Sequence, residues 1–155
     1  MRMRRILFLC TGNYYRSRYA EALFNHEAAR CGLDWCAFSR GLAVDLAPPG
    51  LSPHTARRLI ERGIPCNLTG PDPVQVGERD LLRAARVIAL KGPEHRPLIK
   101  RLHPAWADRI EYWEINDLDV STPKAAMDAI EAHVAALVAE LGSGETQKGE
   151  SPRWD

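Results

Sequence analysis

The sequence has no apolar stretch approaching the roughly 18 residues needed to span a membrane. Near its start, Met1 to Arg5 leads into an apolar run of only Ile6 to Cys10. That run is too short for a signal-peptide core with its cleavage site, so a cytoplasmic protein without a membrane partner is expected. Charge of one sign is equally lacking. Lys and Arg number 21 against 20 Asp and Glu, a formal net charge of +1, and no block of five or six like charges occurs. No long-range field therefore steers the protein onto nucleic acid, and such a partner is not expected. The five histidines, His26, His54, His95, His103 and His133, lack the short paired spacing of a zinc site, and no Cys-x-x-Cys accompanies them. They are expected at the surface or in helix packing, with no metal. Neither Gly-x-Gly-x-x-Gly nor a P-loop lysine follows the first strand pattern, which excludes the common dinucleotide and nucleotide folds. No internal repeat is found.

What is present fits one domain. A chain of 155 residues with 45% apolar content buries about two-thirds of the surface its unfolded form exposes, so the four cysteines are not needed as staples. Ile6-Leu7-Phe8-Leu9 is continuous rather than alternating, as in a strand buried on both faces of a parallel sheet. A helix follows, with Ala20, Leu23, Phe24, Ala28 and Cys31 on one face and Gly32 at its end. A second strand is expected at Trp35 to Ser39. Ser52-Pro53 reads as an N-cap and first helical position, with Gly63 closing a short helix. Residues 65–77 hold enough Pro and Gly to be irregular, and a brief helix carrying Leu81 and Leu82 precedes a third strand at Val87-Ile88-Ala89-Leu90. A helix from about 94 to 102 and a fourth strand at Ile110-Glu111-Tyr112-Trp113 come next. The last helix starts at Thr122-Pro123 and is expected to end at Gly142. This gives a domain over residues 1–142 and a flexible tail over 143–155. Alternating strands and helices imply βαβ units, with ligands bound at the carboxyl ends of the strands.

The turn after the first strand, Cys10-Thr11-Gly12-Asn13-Tyr14-Tyr15-Arg16-Ser17, offers the parts of a phosphoryl-transfer site. Backbone N–H groups of a strand-to-helix turn form an anion nest, reinforced by the positive end of the following helix. Arg16 supplies a planar fork for two phosphate oxygens, and the same field favours a thiolate at Cys10. Gly12 and Asn13 are able to take positive φ. Ser17 is placed to donate its hydroxyl to the sulfur.

These residues resemble the Cys-x-Gly-Asn-x-x-Arg-Ser signature of the low-molecular-weight protein tyrosine phosphatase family. The resemblance extends over about residues 4–142 through Ala20-Glu21, Ser39-x-Gly41 and Gly92-Pro93-Glu94-His95-Arg96. It implies a three-layer α/β/α, flavodoxin-like fold with a four-stranded parallel sheet, no cofactor or metal, and a monomer. It also implies hydrolysis of phosphotyrosine or a similar phosphomonoester, from a phosphorylated protein or a small ester, through a cysteinyl-phosphate intermediate. By the same resemblance Cys10 is the nucleophile and Arg16 the phosphate clamp, with Thr11 to Ser17 as the phosphate-binding loop. Asn13 steadies the loop and Ser17 the thiolate. The general acid falls at Asp117, with Asp119 as the alternative.

The sequence also departs from the family. Tyr14 and Tyr15 replace an apolar residue and a second cysteine, Arg18 replaces the common proline, and Leu118 stands where proline usually follows the acid. The neighbouring thiol that traps an oxidised nucleophile as a disulfide is therefore missing. Cys31, Cys36 and Cys66 are expected to be core or partly buried thiols. A non-catalytic phosphate or phosphoprotein binder is the alternative from another class. Arsenate reduction is a further one, for which the pair of relay cysteines is lacking.

Overall fold

The apolar run at 6–9 becomes the centre of β1 (Arg4–Cys10), the strand on which the sheet is built. In the computed structural model, which describes residues 3–118 and 120–150, β1 is flanked by β2 (Trp35–Gly41) and β3 (Arg86–Ala89). β4 (Glu111–Tyr112) lies beyond β3, giving the order β2-β1-β3-β4. Every pairing is parallel. Alternate β1 residues serve different cores, as a period of two requires. Ile6, Phe8 and Cys10 pack with α1 (Arg16–Arg30) and α5 (Pro123–Glu150), whereas Leu7 and Leu9 join Leu81 of α3 (Glu78–Arg83) and Ile99 of α4 (Gly92–Leu102). The resulting three-layer α/β/α arrangement is the expected one. The chain leaves β1 in opposite directions to reach its two neighbours. A crevice therefore opens at the carboxyl end of β1, beside Cys10.

Local chemistry explains the boundaries. Ser52 caps α2 (Pro53–Glu61) by accepting from the His54 N–H at 3.2 Å, and Pro53 takes the first helical position as expected. Gly32 and Gly63 take φ of +70° just beyond α1 and α2. The fourth strand is shorter than the four residues expected. Beyond it, the Trp113 and Ile115 N–H groups still reach the Ala89 and Leu90 carbonyls, at 2.8 and 2.7 Å. Trp113 packs on Phe8 and stacks on His133.

Two expectations are corrected. The last helix does not end at Gly142 but continues to Glu150, because Gly142 does not enter the left-handed region that would terminate it. The rest of the expected tail, residues 151–155, lies outside the described residues. Cys31 and Cys66 are exposed rather than core or partly buried, while Cys36 is partly buried as expected. Cys31 closes α1 and Cys66 follows the loop after α2, both on the outside of the domain, whereas Cys36 lies within β2. Among the described residues, no helix is long and apolar enough to cross a membrane.

Candidate active site

Cys10 ends β1 with its side chain 2% exposed, and the five residues after it, Thr11 to Tyr15, turn tightly into α1. Asn13 makes that turn possible by adopting φ of +52°; Gly12, expected to share this role, does not. The Asn13 side chain then braces three neighbours. Its Nδ2 donates to Ser17 Oγ at 2.9 Å and Ser39 Oγ at 3.0 Å, and its Oδ1 accepts from the Val74 N–H at 2.9 Å. Because Ser17 Oγ accepts from Asn13, its own proton is free to point at the Cys10 sulfur, 3.0 Å away. Asn13 and Ser17 thus sit behind the loop. Cys10, Thr11, Gly12, Tyr14, Tyr15 and Arg16 line the crevice.

Gly41 shows how closely β2 supports this turn. A Cβ there would lie 2.5 Å from Val44 Cγ1, 2.9 Å from Asn13 Cβ and 3.0 Å from the Asn13 nitrogen. Gly41→Ala is therefore expected to destabilise the fold by about 1–3 kcal/mol and to lower activity by displacing Asn13. Urea unfolding measured beside turnover checks both effects.

Arg16 is buried at 2% exposure and heavily engaged. Its Nη1 donates to Glu94 Oε1 at 3.0 Å and to the Ile115 carbonyl at 2.9 Å, while Nη2 meets Glu94 Oε2 at 2.7 Å and Asp117 Oδ2 at 3.3 Å. Of its five N–H donors, the Nε–H and the one facing Asp117 are left for an anion. A phosphate group entering the loop must thus displace Asp117 from Arg16. Glu94, by contrast, is a fixed buttress. Burial opposes its ionisation, but hydrogen bonds from His95, Arg16 and Thr11 outweigh this and hold its carboxyl well below the usual range. His95, in α4, is fully buried. Its Nδ1 accepts from the Lys91 N–H at 3.0 Å, so Nε2 carries the proton toward Glu94 Oε2 at 3.1 Å and Thr11 Oγ1 at 3.2 Å. Burial pushes the imidazole down against the pull of Glu94, consistent with that neutral tautomer.

Arg18, in the place of the family's proline, is 1% exposed. It donates to Thr69 Oγ1 at 2.6 Å and to the carbonyls of Asn13, Gly50 and Gly70, tying the phosphate loop to two distant loops.

Asp117 is half-exposed over the loop and lines the crevice with Leu118. Its Oδ1 accepts from the Leu118 N–H at 2.9 Å, a donor that proline at this position would lack. Asp119 lies outside the described residues. The crevice has a volume of about 500 Å³, and its far wall is Leu46, Ala47, Pro48, Ser52, Pro53 and His54. The Ser52 N–H and Thr55 hydroxyl bind the Tyr14 and Tyr15 carbonyls, both at 3.0 Å, and so fix this wall against the loop. Sequence reasoning missed the far wall, Glu94 and His95 as site residues. For Glu94 and His95 a signal was available in the Gly92-Pro93-Glu94-His95-Arg96 motif after β3.

Among the described residues, no second thiol lines the crevice with Cys10. Excess hydrogen peroxide is therefore expected to drive the sulfur past the sulfenic acid, and dithiothreitol should not restore the lost activity. Full recovery on reduction would show that another group traps the oxidised sulfur.

Comparison with known proteins agrees with this fold. The family model described as low molecular weight phosphotyrosine protein phosphatase matches residues 5–147. The protein-arginine-phosphatase of Bacillus subtilis (strain 168) is 31% identical over 106 residues, covering 68% of this chain and 67% of that protein. A low molecular weight protein tyrosine phosphatase from T. tengcongensis superposes with a TM-score of 0.69 at 29% identity, over 89% of this chain and 97% of that one. A protein tyrosine phosphatase from Entamoeba histolytica has a TM-score of 0.74 at 18% identity, over 90% and 96% of the two chains, and supports the fold alone.

Proposed function

The chain belongs to the low molecular weight phosphotyrosine protein phosphatase family of cysteine-dependent hydrolases, and from that premise we propose that it dephosphorylates phosphotyrosine or a similar aryl phosphomonoester by way of Cys10, Arg16 and Asp117. The observation that carries this reading is the convergence of three groups on one crevice: a buried sulfur with a hydroxyl donor behind it, a guanidinium with two donors left, and a carboxylate at the rim. The loop N–H groups and Arg16 hold the non-bridging oxygens while the Cys10 sulfur attacks phosphorus in line. The S–P bond forms as the P–O bond to the leaving group breaks, and Asp117 gives its proton to the departing oxygen. Asp117, now ionised, takes a proton from water, which attacks the cysteinyl phosphate, releases phosphate and regenerates the thiolate. Tyr14, Tyr15, Leu46 and Pro48 give the crevice apolar walls suited to an aromatic ring. A reducing cytoplasm suits a nucleophile that has no thiol partner.

A second substrate class is favoured by the similarity to the Bacillus subtilis arginine phosphatase, namely phosphoarginine in proteins. There a P–N bond breaks, and the same aspartate protonates nitrogen. The experiment compares phosphate release from phosphotyrosyl and phosphoarginyl peptides of one sequence, in EDTA. Metal-independent turnover with preference for phosphotyrosine is the expected result. Preference for phosphoarginine would select the second class, and no turnover of either would overturn the phosphatase reading.

A further inference from the structure

Lys91 stands between β3 and α4 as the N-cap of that helix, with extended backbone at φ −153° and ψ 116° and no capping bond from its side chain. Helix physics gives no reason for a lysine there. N-caps favour short side chains whose oxygen accepts from the first turn, and a cation at the positive end of a helix is opposed by the macrodipole. The side chain serves another element instead. Its Nζ donates to Asn116 Oδ1, in the segment that follows β4. An ammonium only donates, so it fixes the amide with its oxygen toward Lys91. Asn116 immediately precedes Asp117.

The backbone around Lys91 is stapled to the same segment. Lys91 and Glu114 form an antiparallel bridge, in which the Gly92 N–H reaches the Trp113 carbonyl at 3.1 Å and the Ile115 N–H reaches the Leu90 carbonyl at 2.7 Å. Gly92 approaches so closely that a Cβ there would meet Glu114 Oε1 at 3.2 Å. Ile115 is fully buried, so backbone and packing anchor the segment up to that residue. Asn116 and Asp117 lie beyond this anchor. Among the described residues, the side chains that reach these two from outside the loop are Lys91 and Arg16. A phosphate group that takes Nη2 of Arg16 breaks the second contact. The Leu118, Val120 and Ser121 N–H groups that bond Asp117 belong to its own loop and move with it. Lys91 is then the side-chain tether that remains.

We propose that Lys91 is a positioning residue for the general acid: through Asn116 it keeps Asp117 over the phosphate group once the substrate has taken Arg16. The proton passes from the Asp117 carboxyl to the leaving oxygen as described above, and Lys91 exchanges none. What Lys91 sets is distance. A carboxyl acts as an acid only within about 3 Å of the departing oxygen, and a loop that swings away withdraws it for part of the time. The turn that carries Lys91 also begins the helix that carries Glu94. One turn therefore holds the phosphate clamp, through Glu94, and the acid, through Asn116. This inference rests on the phosphatase reading above, with Asp117 as its acid.

The test is Lys91→Met, which keeps most of the stem and removes the ammonium, assayed on aryl phosphates of graded leaving-group acidity. A misplaced acid is expected to lower kcat about tenfold for phenyl phosphate, and about twofold or less for esters whose leaving groups need no proton. The inhibition constant of inorganic phosphate should stay unchanged, because the loop and Arg16 are untouched. In the Asp117→Asn background the same substitution should cost nothing further, since no acid is left to place. Asn116→Ala removes the other end of the tether and should give the same dependence on leaving group, which keeps the test available if Lys91→Met does not fold. A loss equal for all esters, weaker phosphate inhibition, or an undiminished loss beside Asp117→Asn would each overturn the assignment. Unchanged kinetics in both variants would overturn it too and leave the phosphatase reading standing, whereas absence of wild-type turnover would remove both.

Discussion

Cys10→Ser is expected to lower kcat/KM for p-nitrophenyl phosphate by at least about 10,000-fold, while inorganic phosphate binds as tightly as before or more so. The sizes of these two effects follow from different parts of the site. A serine hydroxyl is not ionised near neutral pH, and among the described residues no base hydrogen-bonds position 10 to activate it. The nearest side chain, Ser17, is itself a hydroxyl, held by Asn13 so that it donates toward the sulfur. Serine thus loses the nucleophile and gains no substitute. The binding apparatus is separate. Loop N–H groups and the two remaining donors of Arg16 are untouched, and loss of a thiolate removes a negative charge from beneath the phosphate dianion. Phosphate release from p-nitrophenyl phosphate, with phosphate affinity measured by calorimetry, checks both halves. Retained turnover would exclude Cys10 as the nucleophile. Lost phosphate affinity would mean that the substitution had disturbed the loop rather than the chemistry.

The ease with which Cys10 and Arg16 were read from the sequence has a physical reason. A strand-to-helix turn of five residues is built almost entirely from local geometry, so spacing alone places the sulfur and guanidinium at one end of β1. Ser52, Pro53, Gly32 and Gly63 were legible on the same ground, because caps are satisfied within a few residues. Glu94 and His95 were not placed in the site by such reasoning. They reach Thr11 across 83 and 84 positions of sequence, through the pairing of β1 with β3. Tyr15 is legible as an aromatic of the phosphate loop, but the burial of its hydroxyl without a partner among the described residues is not. Arg18 shows the same limit. Read as one substitution among several, it proves to be a buried anchor, because three carbonyls from separated loops converge on its guanidinium. Gly142 failed for a simpler reason. Glycine ends a helix only when it takes a left-handed conformation, and composition does not say whether it will.

Asp117→Asn is expected to lower kcat for phenyl phosphate by about 100- to 1,000-fold, with a much smaller loss for esters whose leaving groups need no proton. Both carboxylate oxygens are engaged in this structure, Oδ1 by the Leu118 N–H and Oδ2 by Arg16. Asp117 therefore competes with the substrate for Nη2 before it assists the reaction. Asparagine keeps the shape and the bond from Leu118 but gives up the charge that attracts Arg16. The same variant should thus bind inorganic phosphate about two- to fivefold more tightly as its catalysis falls. A fall in rate with a rise in affinity is difficult to produce by general damage to the site, since the loop, Glu94 and Arg16 are unaltered. Asp119→Asn, by comparison, should preserve both quantities. If the leaving-group dependence instead appears in Asp119→Asn and not in Asp117→Asn, the acid is Asp119, and the contact of Asp117 with Arg16 serves only to hold the empty clamp in place.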